Sequence, residues 1–135
     1  MKNQDSLQPF MPSTRFLDFI ELEGFSDDWH DLKLDDEALF ALQSAIMSNP
    51  KGGAVMQGLG GLRKLRFAPP RWKMGKRGAV RVGYLYLEAY SIVFLVTAYS
   101  KVQRDDLPAS ERHAIKRVIV RIEKELAKQR QRQRE

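Results

Sequence analysis

Two stretches decide the fold: Ala79-Val-Arg-Val-Gly-Tyr-Leu-Tyr-Leu87 and, after Glu88-Ala-Tyr90, Ser91-Ile-Val-Phe-Leu-Val-Thr-Ala-Tyr99. Both are rich in β-branched and aromatic residues, and they read as the two central strands of an antiparallel sheet. Just upstream, Leu62 to Phe67 alternates, which sends Lys64 and Arg66 to one face and Leu65 and Phe67 to the other. Between it and Ala79, residues Pro69 to Gly78 form a turn-rich, basic connection.

Further out the patterning changes period. Downstream, Ile115, Val118, Ile119, Ile122 and Leu126 make the apolar stripe of an amphipathic helix starting near Pro108, whose missing N–H costs nothing in a first turn. Upstream, Asp35-Asp36-Glu37 stacks acids where a helix start favours them, and Leu39, Leu42, Ala45 and Ile46 supply its buried stripe. Asn49-Pro50 stops that helix, and Gly52, Gly53, Gly58, Gly60 and Gly61 mark a mobile loop. Ser26-Asp27-Asp28-Trp29 opens with capping residues and predicts a short helical turn. Phe16 to Leu22 is apolar and aromatic enough for a first strand. The expectation is an α+β domain over residues 15–126. It has a small antiparallel sheet, N-terminal helices and a C-terminal amphipathic helix, with the helices on one sheet face. Residues 1–14 form a polar tail, and 127–135 a basic tail without an apolar face that frays.

At 135 residues the chain is one domain by size. It has no cysteine, which removes disulfides, thiolate metal sites and a thiol nucleophile together. The first thirty residues carry five acids between Asp18 and Asp28 and lack a signal peptide's apolar run. The longest apolar run, Ile92 to Val96, is far too short for a bilayer, so a cytoplasmic protein without a membrane partner is expected.

Charge is segregated. Residues 1–60 hold 4 Lys/Arg and 10 Asp/Glu, whereas residues 61–104 hold 10 Lys/Arg and one acid, Glu88. A cationic segment of that kind is the footprint of a polyanion partner, set against the bland reading of a solvated face. Strand alternation gives it a pattern, because Lys64 and Arg66 converge on one face and Arg81 lies on the next strand. The connection Arg71-Trp72-Lys73-Met74-Gly75-Lys76-Arg77 mixes cations with an aromatic, the composition of a loop that follows phosphates and stacks on an unpaired base. Its alternative is a basic hairpin loop with Trp72 folded onto the core.

Other motifs fall away. Gly58-Leu-Gly-Gly61 lacks a Gly-Lys-Ser/Thr ending and precedes a strand, unlike a nucleotide-binding loop. His30 and His113 have no metal-ligand spacing and read as surface histidines, so neither a metal nor another cofactor is expected. The acid pairs Asp27/Asp28 and Asp35/Asp36 sit where helix starts want negative charge.

Three segments in this order, Gly60-Gly-Leu-Arg-Lys-Leu-Arg-Phe67, Gly75-Lys-Arg-Gly-Ala-Val-Arg-Val-Gly-Tyr-Leu-Tyr86 and Thr97-Ala-Tyr-Ser-Lys101 with Asp105-Asp-Leu-Pro108, resemble the RelE/ParE superfamily of toxins from type II toxin–antitoxin pairs, nearest its HigB-type branch. The resemblance spans about residues 16–126 and implies a compact α+β microdomain. RelE-like and HigB-like members cut messenger RNA in the ribosomal decoding site, and ParE-like members inhibit DNA gyrase. It implies a cognate antitoxin, of helix-turn-helix type, and mRNA on the ribosome as partners. Cutting RNA with its own 2′-OH needs a proton acceptor, a stabilised phosphorane and help for the leaving oxygen. Arginines supply the second, and a lysine crowded by cations can supply the first. By resemblance, Lys64 and Arg66 match the family's basic pair on its second strand, Arg81 its phosphate-binding arginine, and Lys101 a basic position after the fourth strand. Lys64 is then expected to move the proton, Arg66 and Arg81 to hold the phosphorane, and Lys101 and Arg104 to hold substrate or assist the leaving group. Arg63, Arg71, Trp72, Lys73, Lys76 and Arg77 are expected to bind RNA. Some relatives carry a C-terminal tyrosine at the substrate; here Asp106-Leu-Pro-Ala-Ser-Glu111 has no aromatic, which leaves stacking to Trp72 or Tyr99. The competing readings are a ParE-like gyrase inhibitor and a non-enzymatic nucleic-acid-binding module.

Overall fold

The computed structural model describes residues 16–70, 79–101 and 106–134. Strand β1 (Asp18–Glu21) leads into helix α1 (Glu23–Asp31) and helix α2 (Asp36–Ser48). Strands β2 (Ala54–Val55), β3 (Arg63–Phe67), β4 (Val80–Leu87) and β5 (Ile92–Ser100) follow, and helix α3 (Ala109–Arg134) closes the chain. The α+β class is borne out. The five strands lie in the order β1-β5-β4-β3-β2. All neighbours are antiparallel except β1, which adds parallel to β5.

The strand pair that opened the sequence reading carries the core. Its alternate residues feed two separate apolar clusters, one on each sheet face. Val80, Val82 and Tyr84 of β4 with Val93, Leu95 and Ala98 of β5 meet Phe25 and Trp29 of α1 and Ala38, Leu42 and Ile46 of α2. On the opposite face Leu85, Phe94, Val96 and Tyr99 meet Leu62 and the α3 residues Ile115 and Ile119. Helices therefore cover both faces, which corrects the expectation of helices on one face. The reason was visible in β5, an almost unbroken apolar run, since a strand buried on both sides has no polar face to show.

Local signals explain the element ends. Asp35 caps α2, its carboxylate accepting the Ala38 N–H at 2.9 Å. Ala45 is exposed, because steps of about 100° put it at the flank of the Ala38, Leu42, Ile46 stripe. The α1 turn extends over nine residues. It is fastened to the sheet where β1 stops: the Asp28 carboxylate accepts from Ala98 N–H at 3.0 Å and Thr97 Oγ1 at 3.1 Å, satisfying the edge of β5. Gly83 in mid-strand is explained by crowding, since a Cβ there would lie 2.8 Å from the Thr97 methyl and 3.3 Å from Leu62.

The segment expected to be a mobile loop is an anchored connection. It contains β2, and Met56 N–H donates to Leu62 O at 2.8 Å. Buried Tyr84 donates its hydroxyl to Pro50 O at 2.8 Å and accepts the Gly53 N–H at 3.0 Å. Gly60, at φ 66°, lets α3 sit on the turn, because a Cβ would approach Ile119 to 3.0 Å. The terminal run Lys128–Arg134, expected to fray, is helical to Arg134, with the Arg130 guanidinium 5.4 Å from the Tyr90 ring centroid.

Candidate nucleic-acid interface

Strand register decides which cations meet. Arg66 of β3 stands directly opposite Arg81 of β4, and Arg81 stands opposite Tyr99 of β5. Leu65 and Phe67 turn into the α1/α2 core, as do their β4 neighbours Val82 and Val80. Lys64, Arg66 and Arg81 thus share the other face, the one α3 partly covers. Lys64 and Arg81 are half-buried and Arg66 is exposed. Lys64 and Arg66 are about 6.7 Å apart along the strand, and the Cβ atoms of Arg66 and Arg81 about 5 Å apart across it.

Like charges directly opposite each other cost a sheet stability. Arg81 steadies itself by donating Nη1 to Ala79 O at 3.2 Å. Among the described residues none of the three cations forms an ion pair. The only acid of the basic segment, Glu88, pairs with Lys51 at 2.9 Å. It lies seven residues from Arg81 along an extended strand, about 23 Å away. The cluster is therefore a set of hydrogen-bond donors with no ion-pair partner among the described residues, an arrangement suited to a phosphate.

The other expected residues divide. Lys101 is exposed and follows directly on the end of β5, one residue beyond the Val80–Ser100 pair. Arg63 points to the opposite face from Lys64 and is engaged there, donating Nη1 to Lys51 O at 2.9 Å and Gly53 O at 2.8 Å. Tyr99 is 2 % exposed, so its ring belongs to the core and is not offered to a base, which corrects that expectation. Arg71, Trp72, Lys73, Lys76, Arg77 and Arg104 lie outside the described residues. His30 and His113 are exposed, and no group of three His, Cys, Asp or Glu that could hold a metal ion occurs among the described residues. No helix among them is long and apolar enough to cross a membrane.

One charged feature was not singled out in the sequence. Lys116, Arg117, Arg121 and Lys124 line a shallow groove along α3 with His113 and Val120. The signal was available, because these positions lie on the side of the helix away from the apolar stripe.

No family model matches the chain. Among solved structures, it is similar to a chain of the E. coli RelBE toxin–antitoxin complex, with a TM-score of 0.46 and 16% identity over 63% of this chain and 96% of that one. It is also similar to a double arginine-to-alanine mutant of the E. coli toxin RelE in the free state, with a TM-score of 0.46 and 16% identity over 73% of this chain and 90% of that one.

Proposed function

We propose that this chain is the toxin of a type II toxin–antitoxin pair, of the HigB-type branch, and that it cuts messenger RNA on the ribosome without a metal. The observation that carries the reading is the directly opposed Arg66–Arg81 pair with Lys64 beside it, three cations none of which is in an ion pair among the described residues. The ordered resemblance of the three basic-strand segments to the RelE/ParE superfamily supports it. In this mechanism Lys64 accepts the 2′-OH proton and the 2′-oxygen attacks the adjacent phosphorus. Arg66 and Arg81 hold the phosphorane oxygens by charge-assisted hydrogen bonds. Lys101 gives a proton to the departing 5′-oxygen, so that the products are a cyclic 2′,3′-phosphate and a 5′-hydroxyl. An antitoxin of helix-turn-helix type and a cytoplasmic location belong to the same proposal.

The test is cleavage of mRNA by the purified protein in the presence of translating ribosomes. Lys64→Ala and Arg81→Ala should each abolish cutting while circular dichroism stays that of the parent. Undiminished cutting by both variants overturns the site. Intact mRNA together with gyrase-dependent DNA breaks would make the chain a ParE-like inhibitor instead. Salt-sensitive RNA binding without any turnover would make it a binding module.

A further inference from the structure

The outer face of α3 carries a row of cations unconnected with the sheet cluster. Lys116, Arg117, Arg121 and Lys124 line a groove of about 480 Å³, with His113 and Val120 completing it. A second groove of about 220 Å³ continues it toward the Gln57–Leu59 turn and shares His113 and Lys116. Lys128 prolongs the row along the same side of the helix. Lys116, Arg117, Arg121, Lys124 and Lys128 are all exposed, and among the described residues none is in an ion pair.

An unpartnered row of this kind is unfavourable for the isolated helix. Arg117 with Arg121 and Lys124 with Lys128 are i, i+4 neighbours of like charge, an arrangement that destabilises an isolated helix. The nearest acid, Glu125, is four residues from Arg121 and three from Lys128, yet its carboxylate reaches Arg132 at 3.9 Å and flanks the row without pairing to it. The row extends over about 18 Å of helix from Lys116 to Lys128, long enough to meet several successive phosphates. Its lining holds no Phe, Tyr or Trp on which successive bases could stack, the feature that marks single-strand binding, and its one aromatic ring is His113 at the N-terminal end. Its chemistry is contact with phosphates and blindness to sequence.

We infer that the outer face of α3 is a docking surface for the phosphate backbone of a double-stranded nucleic-acid segment, separate from the Lys64, Arg66, Arg81 cluster. It holds the protein on a folded nucleic acid through charge alone. The inference does not depend on whether the sheet cluster cuts RNA.

The experiment uses the full chain and a variant with Lys116→Gln, Arg117→Gln, Arg121→Gln and Lys124→Gln together. Binding is measured to a mixed-sequence duplex of about 20 base pairs, as RNA and as DNA, between about 50 and 200 mM salt. With four phosphate contacts gone, the slope of log K against log salt should become shallower by about 3–4. A charge-keeping variant, Lys116→Arg with Arg117→Lys, Arg121→Lys and Lys124→Arg, should retain the parent slope, which separates lost charge from lost fold. Ribosome-dependent cutting is measured beside duplex binding for both variants, so failure of the cleavage proposal and failure of this one are told apart. An unchanged slope in the Gln variant with both duplexes overturns the inference. So does tighter binding to a single strand of the same length, or to polyglutamate, which would assign the face to unpaired nucleic acid or to an acidic protein.

Discussion

Replacing Arg66 by glutamine should make the protein more stable and inactive at once. The Cβ atoms of Arg66 and Arg81 face each other at about 5 Å across β3 and β4. Guanidinium heads splayed to about 6 Å in water repel by about 0.7 kcal/mol, within the 0.2–1 kcal/mol range of cross-strand pairs. Glutamine keeps a polar, unbranched side chain at this exposed position and removes the charge. A gain of about 0.5 kcal/mol follows, which at an m-value of about 1.5 kcal/mol/M raises the urea midpoint by about 0.3 M. The gain should be largest at low salt and vanish near 1 M, where the screening length falls to about 3 Å. Arg81→Gln should gain less, since its guanidinium also donates to Ala79 O. The double variant should gain less than the sum of the two single ones, because both remove one repulsion. Urea titrations at two salt concentrations, beside the ribosome cleavage assay, read all of this. A lower midpoint for Arg66→Gln, or a gain that persists unchanged at 1 M salt, would refute the idea that a functional anion site is held open against the sheet's own stability.

Two further predictions concern the scaffold. Tyr84→Phe leaves Pro50 O and Gly53 N–H without their partner and should cost about 2–4 kcal/mol by urea denaturation, loosening β2 against β3. Burial raises the Tyr84 pKa above the usual 10.0, against the opposing pull of the Gly53 hydrogen bond and the Arg63 charge. Because the unfolded chain then ionises first, the neutral phenol's contribution is whole below pH 10 and is lost as pH rises beyond it, so the phenylalanine variant should lack that alkaline decline. Asp28→Ala should cost about 1.5–3 kcal/mol by stranding Ala98 N–H and Thr97 Oγ1 at the β5 edge, with early exchange of the Ala98 amide as its hydrogen-exchange signature.

The elements themselves were legible in the residues. The pair Ala79–Leu87 and Ser91–Tyr99, the alternation of Leu62–Phe67 and the stripe from Ile115 to Leu126 each carry their own period, a local property of a chain. That Lys64 and Arg66 share a face followed from the same alternation. Other features depended on contacts remote in sequence. The register that sets Arg66 opposite Arg81 is a pairing between strands separated by a basic connection, and alternation within either strand cannot supply it. Helix coverage of both sheet faces required docking α3 on Leu62, Leu85 and Phe94. Arg63, one residue from Lys64 and equally basic, is turned away and engaged by two carbonyls, which only the folded Lys51–Gly53 turn provides. By itself the sequence determined an α+β chain with a cationic central segment, because periodicity and charge are written residue by residue. The tertiary structure alone decided which of those cations face one another, because strand register and helix docking join residues distant along the chain.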